Sequence, residues 1–186
     1  TGTSLARGGT ERVARTPSVS AASGGQFSTP AASVEATFEP APHVKPQPRH
    51  PLPADSGSGK RVVFDITAQQ VWLVDGDDEV VRTYPVSGSR YDQLEPGTYE
   101  VYSTSRHTTS WKGGETMEYM VRFTEGENAA IGFHDIPLDE STGEPVQALS
   151  ELGTPLSDGC IRQDREDARA LWDFAPVGTT VVVTGA

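Results

Sequence analysis

The sequence contains a cysteine in a predicted turn and a histidine at the end of a predicted strand. These two residue types together can carry out acyl transfer. Cys160, the only cysteine, lies in the run SDGCIR at 157–162, and His134 lies in the run IGFHD at 131–135. A thiol is a nucleophile only as its thiolate, and a nearby imidazole is the usual group that removes its proton. Gly159 lacks a Cβ, so a sharp turn there can aim consecutive N–H groups at one developing oxyanion. The other interpretation of a lone cysteine is a small buried hydrophobic residue, and spacing alone leaves both open.

The charged residues and possible metal ligands of the sequence indicate whether this pair would need a metal or cofactor. Arg162 follows the thiol by two residues and could place a fixed positive charge near the thiolate or near a substrate carboxylate. One cysteine can form neither an internal disulfide nor a cysteine-rich zinc site. The acidic pairs at 77–78 and 125/127 lack the dense, regular run of oxygen ligands that calcium loops need. The sequence therefore predicts no metal and no organic cofactor.

Period-two alternation of apolar residues begins at residue 60 and predicts the elements that position the pair. Turn signals at 75–76 and 96–97 separate short segments, and Pro85 favours an edge strand or a bulge. Many short strands with such turns are typical of a mostly β barrel or sandwich. The predicted strands are 61–66, 70–74, 80–86, 98–102, 119–124, 129–133 and 179–184.

One segment near the C-terminus has helical periodicity. Asp164 can cap its start, and Pro176 with Gly178 ends it. Its apolar residues fall on one face, as in a helix packed on a sheet; they are Ala168, Leu171, Trp172 and Ala175. The predicted fold class is mostly β with one short C-terminal helix, and the three tryptophans (72, 111 and 172) are predicted to be packing residues.

Composition divides the 186 residues into two parts. Residues 1–59 hold eight of the 14 prolines, two of the 14 aromatics and a net charge of +1, which predicts a disordered, extended spacer, with His43 and His50 solvated. Residues 60–186 carry ten basic and 22 acidic side chains, a net charge of −12, and form the predicted folded domain. That acidity argues against nucleic acid as a partner. No apolar run approaches the roughly 20 residues of a membrane-spanning helix.

From about Arg61 to Val183 the chain resembles the L,D-transpeptidase catalytic domain, the YkuD-like family of bacterial cell-wall enzymes. The resemblance rests on the opening strand with its tryptophan hairpin and on three motifs: PGTY at 96–99, GFH at 132–134 and SxGCIR at 157–162. The Pro-rich leader is similar to that of actinobacterial members. Because the chain starts with neither Met nor an apolar signal core, and because of this leader, we expect an exported, cell-wall-associated or secreted protein.

The resemblance implies a mechanism on peptidoglycan tetrapeptide stems. Cys160 would attack the carbonyl before the terminal D-alanine, and an amine of a neighbouring stem would then form a 3→3 cross-link. His134 would be the base, oriented by the backbone carbonyl of Asp135. The backbone N–H groups of Asp158, Gly159 and Cys160 would form the oxyanion hole.

The resemblance also implies substrate contacts and an inhibitor class. Met117, Tyr119, Ser157 and Arg162 are the expected substrate-binding residues, with Ser157 also tying the nucleophile loop together. Carbapenem-type β-lactams are the expected covalent inhibitors. Asp158 stands where the family often has a second histidine, and its charge would raise the thiol pKa if it faced the sulfur. The polar run at 139–144 is predicted to be a surface flap.

Two other functions remain open. A sortase-like cysteine transpeptidase also orders histidine, cysteine and arginine along a β-rich chain, although sortases place the cysteine at a Thr-X-Thr-Cys strand end. A wall-binding module of the same fold without turnover is the alternative outside enzymes. Covalent reactivity of Cys160 would distinguish an enzyme from the binding module. Loss of D-alanine from a tetrapeptide would distinguish an L,D-transpeptidase from a sortase.

Overall fold

The computed structural model describes residues 50–185. His43 and residues 1–49 of the predicted leader lie outside the described residues. In chain order the elements are β1 Arg61–Asp65, β2 Gln70–Val74, β3 Val80–Pro85, β4 Gly97–Glu100, β5 Ser103–Thr109, β6 Glu115–Glu125, β7 Ala130–Asp135, β8 Leu138–Asp139, a 3-10 turn Leu149–Glu151, β9 Ile161–Gln163, α1 Arg165–Phe174 and β10 Thr180–Thr184. The prediction of a mostly β fold with one helix is confirmed.

The first sheet has the strand order β3-β2-β1-β10-β4. β1 pairs antiparallel with β2 and parallel with β10, so it lies at the centre. Its continuous burial follows from that position, because a central strand is covered on both faces. β3 lies at one edge, where Pro85 costs no hydrogen bond to a further strand.

The second sheet has the strand order β5-β6-β7-β9, with β8 also pairing with β6. β7 and β9 run parallel, with Phe133 opposite Ile161 and His134 opposite Arg162. One face of this sheet packs on the first sheet in a shared core, where the rings of Phe64 and Phe133 meet edge to face at 6.3 Å. The core-facing side chains of the second sheet are Val121, Phe123, Ile131, Phe133 and Ile161.

The helix α1 follows β9 directly and begins after Asp164 at the N-cap position, although the Asp164 side chain makes no capping hydrogen bond. The predicted apolar face is confirmed: Ala168, Leu171 and Ala175 are fully buried. After the helix, Gly178 adopts φ +91°, a conformation that a residue with a Cβ rarely takes.

Residues 50–59, which the sequence assigns to the leader, lie against the outer face of the first sheet. Leu52 packs on the small apolar cluster formed around Trp72, and the Trp72 indole donates to the carbonyl of His50 at 3.2 Å. Ser56 is 1% exposed and accepts a hydrogen bond from Arg61. This segment therefore covers apolar surface that the first sheet would otherwise expose.

The strands differ from the sequence prediction in several places. β5, β8 and β9 were not predicted. The residues of β5 are polar and mostly half-exposed and so carry no apolar alternation, and β8 and β9 are only two and three residues long. β6 is longer than the predicted 119–124, since it begins at Glu115. No helix formed by residues 50–185 combines the length and the apolar character needed to cross a bilayer.

Candidate active site

The second sheet presents Cys160 and His134 on the face opposite the core. His134 lies on β7, and Cys160 is the residue before β9. Because Phe133 pairs with Ile161, the preceding residues Gly132 and Cys160 are neighbours across the two strands. Side chains alternate between faces, so Cys160 and His134 project away from the core, and both line one cavity of ≈ 190 Å³. The sequence-predicted pair is thus brought together.

Gly132 lies between the strand that carries Cys160 and the neighbouring strand β6. A Cβ at this position would come within 2.4 Å of the Val121 carbonyl oxygen, which no real side chain tolerates. Glycine therefore allows β6 and β7 to approach each other next to Cys160. The GFH motif places this glycine two residues before His134.

The imidazole of His134 is buried and held in one orientation. Its Nδ1 lies 2.5 Å from the carbonyl oxygen of Asp135. A carbonyl only accepts, so Nδ1 carries the proton, and Nε2 of the neutral ring keeps its lone pair. Burial lowers the pKa of His134 to about 4, opposed by the Asp135 hydrogen bond and assisted by the charges of Arg162 and Arg122. The ring is therefore a neutral base at pH 7.

The thiol of Cys160 is also neutral at rest. Its Sγ lies 3.5 Å from the carbonyl oxygen of Ala130, an acceptor for the S–H. Burial raises the pKa of Cys160, against a hydrogen bond from the Gly132 backbone and the charges of Arg122 and Arg162. A raised thiol pKa beside a lowered imidazole pKa favours a neutral pair over a thiolate–imidazolium pair. A neutral thiol beside a neutral imidazole is the starting state that general-base catalysis requires.

Ser157 organises the turn that carries the nucleophile. Its Oγ donates to the carbonyl of Cys160 and accepts from the Gly159 N–H at 3.2 Å. Its backbone exchanges hydrogen bonds with the segment at 88–90. The Gly159 amide, one of the three predicted oxyanion donors, is thus engaged within the turn. The loop hydrogen bonds found in residues 50–185 include none donated by the amides of Asp158 or Cys160.

Asp158 points to the rim of the cavity rather than acting on the thiol. Its Oδ1 lies 2.6 Å from Arg90 Nη2, and its Oδ2 lies 2.6 Å from Lys112 Nζ. These hydrogen bonds, from Lys112 first and then Arg90, lower the pKa of Asp158. We call these three residues the rim clamp. It joins the nucleophile turn to the hairpin between β5 and β6 and to the segment after β3.

The two predicted substrate contacts on β6 lie on different faces. Met117 lines the cavity. Tyr119 is absent from the lining formed by the described residues; its ring packs against Trp172 at 6.2 Å and lies under the Arg106 guanidinium at 3.9 Å. Met117 and Tyr119 lie on different faces because Tyr119 has a φ of +57°, which interrupts the alternation of side chains along β6. After this break, Met120 and Arg122 face the cavity.

Two further predicted residues, Arg162 and Asp135, have side chains held by neighbouring residues. Arg162 is half-buried in the cavity wall, and its Nη1 donates to Gln147 at 3.4 Å. The Asp135 carboxylate, 6% exposed, accepts from Arg165 at 2.8 Å and from the Glu118 N–H at 2.7 Å. The carbonyl that orients His134 therefore belongs to a residue anchored on both sides.

The sequence reasoning missed cavity residues that its motifs do not contain. Trp111 is 58% exposed and lines the cavity, so the prediction that all three tryptophans are packing residues is wrong for this one. Arg122 and Met120 also line it. A usable signal was the cation at 122 within the otherwise apolar run 119–123. Within residues 50–185, no group of three or more acidic, histidine or cysteine side chains is arranged to hold a metal ion.

A family model for the L,D-transpeptidase catalytic domain, YkuD, matches residues 59–183. The chain belongs to this family. No curated protein matches the chain. The match runs from just before β1 into β10 and includes the GFH and SxGCIR motifs, which carry His134 and Cys160.

Solved L,D-transpeptidases share the fold of this domain. One from Mycobacterium tuberculosis H37Rv is 26% identical, with a TM-score of 0.53 over 69% of this chain and 58% of its own. LdtMt1 in complex with imipenem is 22% identical, with a TM-score of 0.55 over 69% of this chain and 60% of its own. L,D-transpeptidase 3 from Mycobacterium tuberculosis, which carries a faropenem-derived adduct, is 21% identical, with a TM-score of 0.50 over 69% and 61%. The chain thus spans about three-fifths of these relatives' lengths.

Proposed function

We propose that this L,D-transpeptidase domain cross-links peptidoglycan by cysteine acyl transfer. The observation that carries the proposal is the shared cavity of Cys160 and His134, with the His134 Nδ1–H held by the Asp135 carbonyl. That hydrogen bond leaves Nε2 as the free base of a ring that is neutral at pH 7. A thiol, a neutral imidazole and nearby backbone amides are the groups that acyl transfer needs.

The acylation half-reaction begins with the carbonyl before the terminal D-alanine of a tetrapeptide stem. Sγ of Cys160 forms a bond to that carbon while Nε2 of His134 accepts the thiol proton. The tetrahedral intermediate collapses when the C–N bond breaks, and His134 returns the proton to the leaving D-alanine amine. The product is an acyl-thioester on Cys160.

The second half-reaction transfers the acyl group. The side-chain amine of the third residue of an acceptor stem attacks the thioester carbonyl, and His134 accepts the amine proton. Breaking the C–S bond restores the Cys160 thiol, which takes that proton back. The product is a 3→3 cross-link, and the net change is exchange of one amide bond for another.

The oxyanion of both intermediates needs donors close to Cys160. The amides of Asp158 and Cys160 are the proposed donors, because the Gly159 amide already donates to Ser157. Met117 and Arg162 line the cavity and are the proposed substrate contacts, with Ser157 holding the turn. The rim clamp supports this assignment, since it neutralises Asp158 away from the sulfur.

Location and inhibition follow from the same substrate. Peptidoglycan lies outside the cytoplasm, so we propose an exported enzyme in which residues 1–59 form a leader and residues 60–186 the catalytic domain. Residues 50–59 of that leader pack on the first sheet, so only the part before them can act as a spacer. Carbapenem-type β-lactams would acylate Cys160, because a strained lactam carbonyl is an acyl donor for the same thiol. Relatives in complex with imipenem and with a faropenem-derived adduct support this inhibitor class.

The test uses a disaccharide-tetrapeptide as both donor and acceptor, followed by mass spectrometry. The expected result is loss of D-alanine and a dimer whose fragments join the third residues of two stems. Cys160→Ala is the control and should give neither product. The proposal would be overturned if folded protein left the tetrapeptide intact, or if it reacted only with a sorting-signal peptide. Binding without turnover would instead indicate the wall-binding module.

A further inference from the structure

Arg122 occupies a position on the cavity floor that the mechanism above does not use. It pairs with Gly132 across β6 and β7, and Gly132 in turn neighbours Cys160. Residues opposite one another in a sheet project to the same face, so Arg122 and Cys160 stand on one row with only a glycine between them. Both line the cavity. Two strand spacings place their Cα atoms about 10 Å apart.

Neutral hydroxyl groups hold the guanidinium of Arg122 on the side away from Cys160. Its Nη1 donates to Ser105 at 2.8 Å and to Ser103 at 3.2 Å, and its Nη2 lies 3.5 Å from the Thr108 hydroxyl. All three hydroxyls come from β5. They fix the orientation of the planar fork without neutralising its charge. Within residues 50–185, Nε and the second Nη2 hydrogen make no hydrogen bond.

The absence of a carboxylate partner separates Arg122 from most cations around the site. Arg90, Lys112, Arg106 and Arg165 each form an ion pair with an acidic side chain. Across the described part of the chain, no carboxylate oxygen lies within 4.0 Å of the Arg122 guanidinium. A half-buried cation with a free edge, lining the same cavity as Cys160, is suited to an anionic ligand.

We propose that Arg122 binds a carboxylate of the acyl-donor peptide and so selects donors that carry one next to the scissile bond. The inference rests on the proposed function, because it names the group that this site recognises. The guanidinium edge matches a carboxylate in a two-point hydrogen bond. Arg122 and Cys160 line the same cavity, so a donor peptide bound at the thiol lies within it as well. Two carboxylates of the donor lie next to the scissile bond: the C-terminal one of the leaving residue and a side-chain one on the third residue.

The experiment compares three donors: the free acid, the donor amidated only at the C-terminus, and the donor amidated only on the third side chain. Each is assayed with wild type, Arg122→Gln, Arg122→Lys and the matched control Arg169→Gln, which removes an equal charge from the exposed side of α1. Arg122→Gln should raise KM for the free acid about 10- to 100-fold, with a smaller change in kcat. Arg122→Lys should restore part of the loss, and Arg169→Gln should match wild type.

Non-additivity identifies which carboxylate Arg122 binds. Amidation of the bound carboxylate should raise the wild-type KM by a similar factor, and Arg122→Gln should then cause no further loss with that donor. Amidation of the other carboxylate should leave the Arg122→Gln effect intact. An equal loss on all three donors, or no loss on the free acid, would overturn the inference. Melting temperatures show whether each variant is folded.

Binding to Cys160→Ala separates this inference from the proposed function. Calorimetry with the free acid and the two amidated peptides needs no turnover. If wild type releases no D-alanine but Cys160→Ala binds the acid more tightly than one amidated peptide through Arg122, only the proposed reaction fails. If wild type turns over all donors equally well, only the carboxylate assignment fails.

Discussion

The two faces of the second sheet use the same strands for opposite purposes. On β7, Phe133 points into the core and is fully buried, while its neighbour His134 lines the cavity. On β9, Ile161 is in the core, while Cys160 and Arg162 flank it on the cavity side. Alternation at period two thus places each chemical group directly beside a packing residue. Packing on the core face fixes the register of β7 and β9. That register determines where His134, Cys160 and Arg162 lie relative to one another on the cavity face.

The difference between the faces predicts separable effects of substitution. A change on the cavity face should remove activity and leave stability nearly unchanged. A change on the core face should lower the free energy of unfolding and leave the chemistry of the folded molecules intact. The following four substitutions test this separation.

Cys160→Ala should have the largest effect, because no other thiol exists in the chain. D-Alanine release should fall below detection, while the melting temperature stays close to that of wild type. Mass spectrometry of the reaction and a thermal melt are the two measurements. Residual release above the no-enzyme blank would exclude Cys160 as the nucleophile.

His134→Gln should lower kcat/KM by about 10²- to 10⁴-fold, the usual contribution of a general base. Glutamine keeps similar volume but has no titrating nitrogen. His107→Gln is the matched control, because His107 is 72% exposed on β5. Steady-state kinetics of both variants give the comparison, and equal losses in the two would contradict the assigned role.

Ile161→Ala tests the core face one residue from the nucleophile. Removing a fully buried side chain of this size should lower the free energy of unfolding by about 2–5 kcal/mol. Denaturant titration measures that loss, and kcat per folded molecule should change little. A large fall in kcat with unchanged stability would show that the two faces are not separable at β9.

Asp158→Asn should have the smallest effect, because the rim clamp consists of partly exposed ion pairs. Such pairs contribute about 0.2–1 kcal/mol, so KM should rise by less than about fivefold. The change should shrink in about 1 M salt, where charges are screened within roughly 3 Å. Asp77→Asn, in the exposed turn after β2, is the matched control. A rise in the Cys160 alkylation rate in Asp158→Asn alone would show that the carboxylate acts on the thiol.

The sequence predicts some strands and site residues of this domain and misses others. Strands of the first sheet, such as β1 and β2, were predictable because their apolar residues recur at short range. Cys160 and His134 were predictable because each stands in a contiguous motif. β5 was not, since a polar edge strand has no periodic apolar signal.

Contacts across long sequence separations explain the remaining differences. The partners of Asp158 lie 68 and 46 residues away, and no local pattern connects them. Arg122 and Tyr119 exchange the faces expected from strict alternation because of the positive φ at Tyr119. A backbone irregularity of this kind is set by the packing of the ring against Trp172 and Arg106, which the sequence does not display.

The charge state of the resting His134 ring tests the central claim most directly. Nitrogen-15 NMR of the four histidines, with His134 assigned through its Gln variant, reports both the charge and the position of the proton. With its pKa lowered to about 4, His134 should be neutral and protonated on Nδ1 at pH 6 to 7, and it should gain a proton only near pH 4. A doubly protonated ring at pH 6 that becomes neutral in Cys160→Ala would reveal a thiolate–imidazolium pair and contradict the account.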